Sequence, residues 1–327
     1  MAGVVDMAKL MREEVLRMRA GDDDVGATAA GFSGVAGAAC TLSALADTTP
    51  KAQTTVNDDC NMGSGVSVCK AGSAPAEEEV SFEFHPAKKT YGEVEAQWEV
   101  ADAPACVSYV PCFLTPLQSE QLLQCVYHAQ HDSKWVQLKG RRLQNWGGLP
   151  QATGGLSQPE DLPQWLSTLC DGLMTQGIFQ LEHRPNHVLI NEYAPGEGIM
   201  AHTDGPLYTP QVATISLGDP AYFDLTPRRG AAGPCSALTA TPPCSDQAER
   251  GGDRQGGGCT LVLLQGSLVV FQEEAYTDWE HAVLGTDAVC ISDTTANLPQ
   301  LGREQQGSTL QRTGTRVSLT IRHVPCG

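Results

Sequence analysis

Seven residues near the C-terminus, Arg316-Val317-Ser318-Leu319-Thr320-Ile321-Arg322, constrain the fold more than any other stretch. In extended backbone, Arg316, Ser318, Thr320 and Arg322 share one face and Val317, Leu319 and Ile321 the other. Strict alternation of this kind is the mark of a half-buried strand whose polar face looks into something wet or charged. Two arginines on such a face are costly unless they meet anions. A dicarboxylic ligand supplies those anions, and a planar guanidinium takes a carboxylate bidentately.

A second stretch runs from Asn191 to Asp204 and ends Ala201-His202-Thr203-Asp204. His202 and Asp204 stand two apart, so both side chains reach one ion from a strand. One imidazole and one carboxylate are two of the three ligands of the 2-His-1-carboxylate triad of non-haem Fe(II) oxygenases. The third is expected between these motifs, where His281 is the only histidine separating His202 from His323. The alternative for His202 and Asp204 is a core histidine bonded to a neighbouring carboxylate. Asn191 and Tyr193 share a face just upstream, and Gly196 and Gly198 form a tight turn into the ligand strand.

Asn-x-Tyr, glycine, His-x-Asp, a later His and Arg-x5-Arg together resemble the AlkB branch of the 2-oxoglutarate- and Fe(II)-dependent dioxygenases. The blocks Asn191 to Tyr208, Gly140 to Gly148 and Arg316 to Arg322 are similar to its AlkB-like subfamily numbered six. The likeness runs from about Pro104 to the C-terminus, and Ser318 stands where better-studied members carry Asn. It implies that His202, Asp204 and His281 hold Fe(II), with 2-oxoglutarate as cosubstrate and O2 as oxidant. Arg316, helped by Tyr193, then meets the distal carboxylate, while Asn191 and Arg322 lie nearer the keto-acid end. In the family's chemistry 2-oxoglutarate is decarboxylated to succinate while a C–H bond is hydroxylated; an N-methyl group so treated leaves as formaldehyde. Relatives carry a nucleotide-recognition lid before the barrel, where this chain has Arg141, Arg142, Asn145 and Trp146. There Trp146 stacks on a flipped base while an arginine holds a phosphate, and Tyr208 lies at the same mouth. The competing reading is that Trp146 packs the lid against the core. His85, His128, His131, His183, His187 and His323 show no partner pattern and are expected in surface or core roles.

Organisation follows from composition. Residues 21–76 are rich in Ala, Gly, Ser, Thr and Asp and read as a disordered extension, with a short amphipathic helix possible before them. The extension is taken as 1–103 and the dioxygenase domain as 104–327, with biased, flexible insertions at about 227–259 and 286–313. Thr115-Pro116-Leu117-Gln118 signals a helix start, running to about Gln130. A second helix is expected from Leu162 to Thr175, then strands at about 187–193, 199–203, 211–218, 221–226, 260–265, 267–272, 280–285 and 315–323. The periodicities alone say helices followed by an antiparallel barrel or sandwich, a mainly β (α+β) chain. The resemblance implies a double-stranded β-helix, the jelly roll.

Twelve cysteines without Cys-x2-Cys pairs suggest neither a zinc site nor a disulfide framework. No apolar stretch is long enough to span a membrane, and the N-terminal residues lack a secretory centre, so cytoplasm and nucleus are expected. Lys88-Lys89 is too short to count as a nuclear signal. The net charge of −17 argues against tight nonspecific duplex binding. A nucleic-acid partner is therefore expected single-stranded or with a flipped base, weakly held. Three functions stay in play: demethylase of alkylated nucleic-acid bases, hydroxylase or demethylase of protein side chains, and a non-catalytic binding module. An intact triad with both arginines argues against the last, since a scaffold has no use for so much buried charge.

Overall fold

The computed structural model describes residues 81–85, 95–151, 154–228 and 257–326. The readings for residues 1–76, for Lys88-Lys89 and for most of the 227–259 insertion lie outside these described residues. Fifteen strands are present among them. They are β1 (Val107–Val110), β2 (Val136–Leu138), β3 (Arg141–Trp146), β4 (Leu149–Pro150), β5 (Leu156–Ser157), β6 (His187–Tyr193), β7 (Ile199–His202) and β8 (Gln211–Gly218). The remainder are β9 (Ala221–Pro227), β10 (Cys259–Leu263), β11 (Leu268–Gln272), β12 (Trp279–Val283), β13 (Ala288–Cys290), β14 (Thr309–Gln311) and β15 (Arg316–Arg322). The helices that matter here are α1 (Pro116–Val126) and α2 (Gln164–Thr175).

Two antiparallel sheets carry the molecule. The larger has the order β1-β11-β8-β15-β6-β3-β2 and the smaller β10-β9-β12-β7. From β6 onward eight strands divide between them: β6, β8, β11 and β15 in the large sheet, β7, β9, β10 and β12 in the small one. Eight strands shared out in this way make the jelly roll, and each of the eight expected segments is one of them.

The large sheet is buried on both faces. Val188, Ile190, Ile215, Val317, Leu319 and Ile321 pack outward against Leu122 of α1 and Leu166, Leu169 and Leu173 of α2. Phe223, Leu225, Leu261, Val269 and Phe271 fill part of the space between the sheets. α1 begins as the sequence predicts: the Gln118 amide donates to Thr115 Oγ1 at 3.2 Å and the Thr115 amide to Gln118 Oε1 at 3.0 Å. It stops at Val126 rather than Gln130, because the His128 side chain caps a new 3-10 turn over Ala129–Lys134.

Two expectations are corrected. Arg141–Trp146, expected as a recognition segment before the barrel, is β3 of the large sheet, paired along β6 from Arg142–Glu192 to Trp146–Val188. Its apolar residues do not alternate in sequence because both faces are covered, the pattern of a doubly buried strand. Residues 286–313 are not a flexible insertion. They form the β13–β14 hairpin, a helical turn at Leu298–Leu301, and an apolar cluster of Val289, Ile291 and Leu298 against Val262 of β10. Among the described residues no helix is long and apolar enough to cross a membrane.

Candidate metal centre

β7 and β12 run antiparallel with His202 opposite His281. The register slips by one residue between this pair and Ile199–Val283, so β7 carries a bulge with Met200 and Ala201 both turned to solvent. The slip leaves both imidazoles facing inward, with ring centroids 4.3 Å apart. Asp204 follows directly on β7, and one ligand atom from each of His202, Asp204 and His281 lies within 4.8 Å of the others.

The three groups are held in the state a cation needs. His202 Nδ1 donates to the Met200 carbonyl at 2.8 Å, which leaves Nε2 as the bare nitrogen. Burial keeps the His202 pKa below its ordinary value, against the pull of Asp204. Burial also lowers His281 to about 3, with His202 adding to the effect; its ring lies between Phe223 and Phe271 at 5.5 and 4.9 Å. For Asp204 burial pushes upward, but Arg322, His281 and His202 outweigh it and the carboxyl stays below its ordinary range. Arg322 Nη1 donates to Asp204 Oδ1 at 2.5 Å, while Asp204 Oδ2 is buried with no partner. Two neutral imidazoles and a carboxylate with a spare oxygen are a donor set for one divalent cation with open positions left over.

Behind this set the polar face of β15 lines the same pocket. Arg316 is 1% exposed, and only its Nη2 finds a partner, Ser216 Oγ at 3.2 Å. Nε and Nη1 are buried and unsatisfied. Burial drives its pKa down to about 10, with the guanidinium 5.5 Å from the Tyr193 ring centroid. A buried cation with two idle donors is a poor structural element and a good receptor for a carboxylate. Asn191, Tyr193, Ser318 and Arg322 line this pocket as well.

A model of the 2OG-Fe(II) oxygenase superfamily matches residues 108–322. The chain belongs to that superfamily. It is 41% identical over 226 residues to the probable RNA/DNA demethylase ALKBH6 of Danio rerio, covering 69% of this chain and 88% of that protein. It is 22% identical over 232 residues to the tRNA (carboxymethyluridine(34)-5-O)-methyltransferase alkbh8 of Xenopus tropicalis, covering 68% of this chain and 33% of that one. The solved structure of OsALKBH1 matches with a TM-score of 0.42 at 14% identity, over 67% of this chain and 98% of that one.

Strand alternation sorts the remaining residues of this oxygenase. Arg141 is buried on the pocket-side face of β3, where its Nε donates to Asn191 Oδ1 at 3.1 Å. Asn145 shares that face but ends on His187 Nε2, 2.8 Å away. Tyr208 lines the pocket, its ring 4.1 Å from the Arg322 guanidinium. Arg142 and Trp146 are not brought to the pocket, because they project from the opposite face of the same strand. Arg142 chelates Glu192 at 2.7 and 2.9 Å and lies 4.3 Å over Trp135. Trp146 is core, edge-on to His131 and Trp165 at 5.1 and 6.3 Å. Two residues escaped the sequence reading: Ser216, which holds Arg316, and Tyr276, whose hydroxyl donates to the Gly205 carbonyl at 2.5 Å beside Asp204. His187 is fully buried and packs 5.4 Å from the Tyr208 ring, with Nδ1 unpartnered. Serine and tyrosine are common enough that no local spacing marks them out.

Proposed function

We propose that this oxygenase binds Fe(II) on His202, Asp204 and His281, takes 2-oxoglutarate and O2 as cosubstrates, and oxidatively demethylates alkylated bases in nucleic acid. The observation that carries the cosubstrate reading is the pair of idle donors on buried Arg316, in one pocket with the unpartnered oxygen of Asp204. The base substrate rests on the 41% identity to a protein named a probable RNA/DNA demethylase.

Each residue then has a task of its own. His202 and His281 offer neutral nitrogens, and Asp204 offers Oδ2 while Arg322 occupies Oδ1. Arg316 receives the distal carboxylate of the cosubstrate, with Tyr193 beside it and Ser216 fixing its orientation. Asn191 and Arg322 face the keto-acid end, and Arg141 holds Asn191 in place. Phe223, Phe271, Ile199 and Val283 wall the pocket with apolar surface, which keeps water away from the reacting centre. Iron held there would activate O2, whose four-electron reduction takes two electrons from oxidative decarboxylation of the cosubstrate and two from the C–H bond. Tyr208, which lines the pocket, is the residue we assign to substrate contact; Arg141 supports that site through Asn191, and Asn145 through His187.

The test is succinate and formaldehyde release by protein reconstituted with Fe(II) and 2-oxoglutarate, with single-stranded oligonucleotides carrying N-methylated bases. Formaldehyde that depends on the oligonucleotide and vanishes in His202→Ala supports the reading. The net charge of −17 favours one competitor, a protein side-chain substrate. Succinate stimulated by methylated peptides and not by oligonucleotides replaces the base reading with that one.

A further inference from the structure

Arg312 lies in the loop between β14 and β15, four residues before Arg316, and is 4% exposed. Among the described residues its guanidinium meets no carboxylate at hydrogen-bond distance. Nη1 donates to the carbonyls of Thr286 at 3.0 Å and Glu197 at 3.4 Å, and Nη2 to those of Ala194 at 3.1 Å and Tyr193 at 3.5 Å. These four carbonyls belong to the end of β6, the turn into β7 and the loop leaving β12. The junction is tight throughout. The Gly196 amide donates to Thr286 O at 3.2 Å, and the Arg312 amide to Asp287 O at 2.8 Å. A Cβ on Gly198 would fall 2.3 Å from Val283 O, and one on Gly285 2.4 Å from Gly196 O.

We infer that Arg312 is a positioning residue for the cosubstrate, setting the span between the metal-bearing sheet and the arginine-bearing sheet. The inference rests on the proposed reading of the pocket. His202 and His281 sit on β7 and β12 of the small sheet, and Asp204 directly follows β7. Tyr193 and Arg316 sit on β6 and β15 of the large sheet, directly opposite each other in register. A metal ion gathers ligands from one side only. A cosubstrate chelated to that metal, with its far carboxylate on Arg316, has to bridge both. Arg312 fastens the two sheets at the Tyr193 end of β6, next to the position opposite Arg316. A fixed planar fork with five donors spans carbonyls in two directions, and an ammonium does not.

The test is anaerobic titration of Fe(II) alone, then of 2-oxoglutarate into Fe(II)-loaded protein, for wild type, Arg312→Gln and Arg312→Lys. Measurements are made where circular dichroism shows each protein folded. The expected result is unchanged Fe(II) affinity and a loss of about tenfold in 2-oxoglutarate affinity, which Lys does not restore. A purely structural arginine would lower the melting temperature and leave both affinities of the folded protein alone; that result overturns the inference, as does equal loss of both ligands. Should neither variant fold, hydrogen exchange on the wild type decides. Added 2-oxoglutarate must slow the amides of Gly196 and Arg312 together, and unchanged exchange there refutes the claim. A wild type that binds Fe(II) but no 2-oxoglutarate brings down the cosubstrate reading itself. A wild type that binds both, with Arg312→Gln indistinguishable from it, brings down this inference alone.

Discussion

Val317, Leu319 and Ile321 alternate with Arg316, Ser318 and Arg322 in β15, and all six are nearly solvent-free. The two sets are buried by different means. Outward, the apolar side chains close against α1 and α2 and carry no polar atom of their own to satisfy. Inward, Arg316 and Arg322 between them leave four guanidinium nitrogens without acceptors. One strand thus carries a face that stabilises the fold and a face that costs stability until a ligand arrives. Stability and binding should therefore separate cleanly under mutation.

The largest separation is expected at the metal ligands. His202→Ala should abolish Fe(II) binding and turnover while the metal-free protein stays folded, because that imidazole gives the fold little beyond its bond to Met200 O. Isothermal titration with Fe(II), alongside a melting curve, checks it. A variant that unfolds would show the inner face to be structural too, and the contrast would dissolve.

A sharper form sets neighbours on β15 against each other. Arg316→Met removes an isolated buried cation, so the apo protein should melt higher, by on the order of 1 kcal/mol. The same change should weaken 2-oxoglutarate binding by on the order of a hundredfold, the worth of a charged buried hydrogen-bonded contact. Leu319→Ala should do the reverse: a stability loss of about 2–5 kcal/mol with affinities of the folded protein intact. Denaturant melts and 2-oxoglutarate titrations on both variants test the pair, and parallel behaviour would refute the division.

The same contrast explains what was legible in the sequence. β15 announced itself because its two faces differ in polarity, so its period of two is written in the residues. β3 did not, because Arg141, Leu143 and Asn145 face the pocket side while Arg142, Gln144 and Trp146 face the helices, and each set mixes polar with apolar. Trp146 and Arg142 share β3 with Arg141 and Asn145, and strand parity sends them to the other side. His202, Asp204 and His281 were found because their chemistry is rare and the intervening sequence holds one histidine. Arg312 was invisible, since a guanidinium that binds backbone carbonyls leaves no complementary side-chain type to search for.

The smallest effect concerns protons. His187, His202 and His281 are buried neutral, and burial holds each below its ordinary value, His281 at about 3 against 6.5. Between those two values the unfolded chain takes up a proton that the folded chain refuses. Stability contributed this way is complete above 6.5 and declines as pH falls towards 3. One unit below the ordinary value the loss is about 1.4 kcal/mol for His281, and His187 and His202 add to it in the same direction. Asp204 adds to the trend lower down, since its own depressed carboxyl contributes stability that is lost on protonation. Leu319→Ala should shift this curve down without changing its slope, because no proton is involved on the outer face. His187→Leu should flatten the curve, because one refused proton disappears. Melting temperatures of the metal-free protein from pH 7.5 down to 5 measure both, and equal slopes in wild type and His187→Leu would mean that His187 is solvated or charged in the folded chain.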